Sequence, residues 1–262
     1  MKLEEITNRP IITLLDTNVL KGSSHSFLQK IYDVLIPDDL PVNHLETEIK
    51  AVDAFSPYLE KENVFVTSEV TKELKYFLDR LNDSVKHHNT LLKSMGNKRN
   101  LRRYRRQFEI RDIDFDNHKK NSPVSLLNVL AQKWADVVKS SKNKNILDTF
   151  SPDEENLYYR FFTYFIEACK KHSLKRDSTP MYDGRLRSRH PCDFGTDEGL
   201  ISVALTISQK QPVQVISSDI DLGVILDFFY NNQSHKSSLV RPNPKHSISL
   251  YSAFGGRDEY TL

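Results

Sequence analysis

Apolar residues recur along the chain in two rhythms. Short unbroken runs at Ile11–Leu15 (IITLL), Asn63–Val66 and Val213–Ile216 are rich in β-branched residues and end in polar turns. Such runs read as buried strands. Between them, apolar residues return every three or four positions, the helical spacing. Ser24–Ile36 shows it at Phe27, Leu28, Ile31, Tyr32 and Leu35. Residues 45–60 read as a second short helix or loop. A further helix starts at Thr67 or Ser68 as cap, with Glu69 in its first turn, and presents Val70, Leu74, Phe77, Leu78 and Leu81 on one side. Val124–Val138 and Asn156–Ala168 repeat the pattern. Another helix opens at Thr196 as cap, with Asp197 and Glu198 in its first turn, and stops before Pro212. After Val213–Ile216 come a helix through Phe229, an edge strand at Ser247–Tyr251 and a tail, GGRDEYTL, expected to fray. Strands alternating with helices define an α/β class.

Charge divides the chain in three. The whole sequence of 262 residues has a formal net charge of +2. Residues 1–70 hold twice as many Asp and Glu as Lys and Arg, residues 71–190 are strongly basic, and residues 191–262 are acidic again. The densest basic stretch is Lys98, Arg99, Arg102, Arg103, Arg105 and Arg106, with Tyr104 and Phe108 interleaved. Arginine grips phosphate with two parallel hydrogen bonds, so this stretch is a candidate nucleic-acid contact. Its alternative is a solvated helix face or a docking face for a protein partner or second copy. The expected division is therefore a core at 1–83 and 191–262 and a mostly helical basic insertion at 84–190.

Two strands deliver acids at their C-terminal ends, where open α/β sheets bind ligands. IITLL runs into Asp16-Thr17-Asn18, and VQVI runs into Ser217-Ser218-Asp219-Ile220-Asp221. Two helices carry Glu73 and Asp197 near ends that face the same rim. Four gathered carboxylates repel one another in a cleft unless a divalent cation sits among them. All-oxygen ligands suit Mg²⁺ or Mn²⁺, and such ions support in-line phosphodiester displacement. Taken singly, Asp16 or Asp219 equally suits a helix cap, Glu73 a pairing with Lys72 or Lys75, and Asp197 the helix dipole alone. Glu69 is the alternate second acid, and Asp193 and Glu198 are alternates for the third.

These stretches resemble the PIN-domain nucleases. DTN after an apolar strand is similar to that family's opening motif, TSEVTKEL to its second, GTDEGLISVAL to its third and the Ser-x-Asp-x-Asp stretch to its fourth. The resemblance covers about residues 10–80 and 193–251; the segment 84–190 has no counterpart in it. It implies a parallel sheet flanked by helices and metal-dependent cleavage of RNA, single strands included, leaving 5′-phosphate and 3′-hydroxyl ends. It implies that Asp16, Glu73, Asp197 and Asp219 hold Mg²⁺ or Mn²⁺, with Asp221 as a further ligand and Asn18 and Ser217 auxiliary. A flap-type DNA nuclease and a PIN-like module that binds RNA without cutting are the alternatives.

Other chemistries lack their residues. No Walker or Gly-rich dinucleotide motif is present. An aspartyl phosphatase needs an acid two residues after the first, where Asn18 stands. Cys169 and Cys192 form no zinc or disulfide pattern, and the histidines have no ligand-like company except Cys192 near His190. The opening MKLEEITNRP lacks the apolar core of a signal peptide, and no run reaches the roughly 18 apolar residues that span a bilayer. A cytoplasmic protein without a membrane partner is the expectation.

Overall fold

The structure, a computed structural model, describes residues 4, 7–21, 31, 40–95, 123–172, 195–217, 222, 223, 225, 245–252, 260 and 261. In chain order it contains β1 (Ile12–Leu15), α1 (Thr17–Lys21), α2 (Val42–Phe55), a tight helical turn (Ser56–Glu60), β2 (Val64–Phe65) and α3 (Ser68–Met95). There follow α4 (Val124–Lys142), a second tight turn (Ile146–Thr149), α5 (Pro152–His172), α6 (Thr196–Ile207), β3 (Val213–Ser217), β4 (Ile248–Ser252) and β5 (Tyr260–Thr261). The protein is of the α/β class.

Strand order is β2-β1-β3-β4-β5. The first four strands are parallel and β5 is antiparallel to β4. From β1 the chain goes to one side for β2 and to the other for β3. β1 and β3 therefore flank the point where strand order reverses, where open α/β sheets bind ligands. Register fixes the rim: Leu15 pairs with Ile216, and the Asp16 amide donates to the Ile216 carbonyl at 3.0 Å. β4 is interior to the sheet, flanked by β3 and β5, where the sequence reading expects an edge strand. The expected frayed tail contributes β5, whose pairing with Ser249 and Leu250 satisfies backbone groups that an edge would leave open.

The contacts form two compact units. Unit 1 is 1–20, 55–74 and 138–262; unit 2 is 21–54 and 75–137. These boundaries differ from 84–190: α5 lies within that segment, yet belongs to the unit that holds the sheet. Within unit 1, α6 packs on α5 and on β3. Apart from half-buried Asp197, every residue of α6 is buried. An element apolar on all sides belongs inside, and its hydroxyls bond backward: Ser202 Oγ donates to the Glu198 carbonyl and Thr206 Oγ1 to that of Ser202. Within unit 2, Phe77 meets Trp134 edge to face at 6.5 Å, and Lys133 pairs with Asp53. His88 is wholly buried against the Ile31 carbonyl at 3.0 Å, and burial lowers its pKa, so it is a core histidine rather than a surface one.

α5 starts on a reciprocal cap. The Ser151 amide and hydroxyl both donate to Glu154 Oε2, at 2.8 and 2.7 Å, and Lys210 reaches Oε1 at 2.8 Å. The Lys210 ammonium and then the Ser151 amide hold the Glu154 carboxyl down, to about 2. A depressed carboxyl stabilises the fold above its unfolded pKa, and that contribution fades as pH falls from 4.5 toward 2. Glu154→Gln should cost ~1 kcal/mol at pH 7 and less near pH 3, read by urea denaturation at both values. An equal loss at both would contradict the charge assignment.

Candidate active site

β1 ends by placing Asp16 at the rim, 2% exposed. A carboxylate so enclosed needs donors. Ser217, the last residue of β3, donates its hydroxyl to Asp16 Oδ2 at 2.6 Å, and Asn18 Nδ2 approaches the same oxygen at 3.4 Å. The sequence puts Asn18 and Ser217 in an auxiliary role, and the geometry shows both directed at Asp16. Asp16 begins the turn of α1 through its backbone, since Val19 N donates to the Asp16 carbonyl.

Glu73 lies on α3, one turn after Glu69. It is half-buried, and its Oε2 accepts two hydroxyl hydrogen bonds: Thr17 Oγ1 at 2.8 Å and Thr196 Oγ1 at 2.7 Å. Thr17 directly follows Asp16, and Thr196 directly precedes Asp197. One carboxylate oxygen therefore joins three stretches that lie far apart in sequence. Thr196 is not the cap expected of it. Gly195, at φ 72, occupies the cap position, and Thr196 is the first helical residue with its hydroxyl directed to Glu73. A side chain at Gly195 would also meet Ile166 and Phe162 of α5 at 3.0 and 3.1 Å. Left-handed backbone and close packing both select glycine there.

Glu69, the alternate second acid, faces elsewhere. It is buried, takes the Ser68 hydroxyl at 2.7 Å on Oε1, and meets exposed Lys72 at 3.8 Å. Tyr158 of α5 lies near the Glu69 carboxylate, and burial followed by the Glu69 charge pushes the phenol's pKa up. A Cβ at Gly199 would stand 3.0 Å from Glu69 Oε2, so glycine permits the close approach of α3 to the first turn of α6. Glu198, an alternate third acid, is fully buried, while Asp197 in the same turn is half-exposed.

The expected residues thus separate. Asp16, Asn18 and Ser217 form one contact group. Glu73 with Thr17 and Thr196 forms another, joined to the first through the Asp16–Thr17 peptide bond. Among the described residues, no three Asp, Glu, His or Cys side chains stand close enough to hold one metal ion. Asp219, Asp221, Asp193 and the basic stretch Lys98, Arg99, Arg102, Arg103, Arg105 and Arg106 lie outside the described residues. Sequence reasoning missed Tyr158 as a neighbour of Glu69 and the two threonines as holders of Glu73. The threonines carried a signal in their adjacency to acids, Tyr158 none.

Among the described residues, no helix is long and apolar enough to cross a membrane. No family model, curated protein or solved structure matches the chain.

Proposed function

We propose that this rim is the active site of a metal-dependent nuclease of PIN type that hydrolyses phosphodiester bonds of RNA. One observation carries the reading: Glu73 accepts hydrogen bonds from Thr17 and Thr196, so the DTN, TKEL and GTDEG stretches meet beside the sheet's switch point. The donor set suits a hard divalent cation, since the described rim side chains Asp16, Thr17, Asn18, Glu73, Thr196 and Ser217 offer carboxylate, hydroxyl and amide oxygens. Glu73 Oε1 accepts no hydrogen bond from a described residue. In this reading Asp16, Glu73, Asp197 and Asp219 serve Mg²⁺ or Mn²⁺, although no three of the described acids stand close enough to hold one ion. Asp221 supports Asp219, which the sequence places two residues beyond Ser217.

When bound, such ions supply activation of water and stabilisation of the leaving oxygen. The chain's own residues do the positioning. Ser217 and Asn18 orient Asp16, the strand register holds both at one level of the rim, and Thr17 with Thr196 fixes the rotamer of Glu73. The basic stretch from Lys98 to Arg106 follows the RNA backbone in this account, its guanidinium groups neutralising phosphates.

Asp16→Asn and Glu73→Gln should each lower Mn²⁺-dependent cleavage of single-stranded RNA by roughly a hundredfold or more, since even the partners of metal ligands are worth up to that factor. Circular dichroism should show the fold intact. Near-wild-type cleavage by Asp16→Asn would overturn the assignment. Equal amounts of matched single-stranded, duplex and flap RNA and DNA decide the substrate. Faster cleavage of flap DNA would move the reading to a structure-selective DNA nuclease.

A further inference from the structure

We infer that Thr17 and Thr196 determine which cation the rim accepts, by restricting Glu73 to coordination through one oxygen; the inference rests on the metal-dependent reading above. An ionised carboxylate offers about two acceptor positions on each oxygen. The two threonine hydroxyls, at 2.8 and 2.7 Å, fill both positions on Oε2. Oε1 receives no hydrogen bond from any described residue. Thr17 is 1% exposed and Thr196 is 7% exposed, so the donors themselves are shielded from competing water.

The two donors belong to different elements. Thr17 heads α1 at the end of β1, and Thr196 heads α6. Glu73 cannot turn its second oxygen toward the cleft without breaking both bonds. Ca²⁺ gathers roughly six to eight oxygens and often takes both oxygens of one carboxylate, whereas Mg²⁺ keeps near-octahedral geometry. Mn²⁺ shares the octahedral all-oxygen preference. A glutamate limited to Oε1 suits the octahedral ions and withholds a ligand from Ca²⁺. The threonines are positioning residues: they act through Glu73 and touch no ion.

Isothermal titration of the full chain with MgCl₂, MnCl₂ and CaCl₂ reads the effect without any activity measurement. Thr17→Val and Thr196→Val each keep the shape of the side chain and delete the donor. The double variant should bind Mg²⁺ and Mn²⁺ roughly tenfold or more weakly, the scale of such outer partners, while Ca²⁺ affinity holds or rises. Thr17→Ser and Thr196→Ser retain the hydroxyl and should keep the wild-type preference. If the double variant does not fold, each single Val variant should shift the preference in the same direction by a smaller factor. Parallel weakening of all three ions, or an unchanged preference, overturns the clamp and leaves the metal-dependent reading standing. A wild type that binds none of the three ions overturns that reading and the clamp with it.

Discussion

Glu73 Oε2 receives one hydroxyl hydrogen bond from the residue after Asp16 and another from the residue before Asp197. Hydrogen bonds to a charged acceptor are about twice as strong as neutral ones, and here both converge on one atom. The arrangement needs β1 to end, α3 to pass and α6 to begin at a single place. The sheet order supplies that place, because the chain reverses its direction of progress between β1 and β3.

A second constraint sits behind the first. α6 is enclosed on nearly every side, so its N-terminal turn cannot drift without disturbing the core. Gly195 meets Phe162 and Ile166, while Gly199 meets Glu69, and Glu69 in turn lies near Tyr158. Two glycines four residues apart let α6 approach α5 and α3 closely enough for the Thr196 hydroxyl to reach Glu73. Burial of α6, the Glu69–Tyr158 contact and the Glu73 hydrogen bonds form one linked set within unit 1.

Much of this was legible in the sequence. IITLL and VQVI announce strands because continuous apolar runs are what a sheet covered on both sides requires. β1 and β3 are found there, within one residue of the expected bounds. The helices containing Glu73 and Asp197 follow from their periodicity. Less legible was anything that depends on pairing at a distance. The tail's Tyr260–Thr261 has too few residues to show a strand pattern, and only its partner β4 makes it one. Thr196 looks like a helix cap because the sequence shows the helix start but not the carboxylate that takes its hydroxyl. α5 reads as part of a basic insertion by charge, yet its Tyr158, Phe161 and Phe165 are buried and the helix packs on α6. Local composition records which residues a helix carries, whereas its place is set by what those residues bury.

The central claim is that the rim between β1 and β3 gathers acids from separate stretches around a divalent cation. Diffraction from crystals of the full chain soaked in Mn²⁺, collected at the manganese edge, tests it most directly. The account predicts an anomalous peak bonded to Asp16 and to Glu73 Oε1, with Thr17 and Thr196 still on Oε2. A peak elsewhere on the protein, or none at all, would contradict it; a peak bonded to Glu73 through both oxygens would overturn only the threonine clamp.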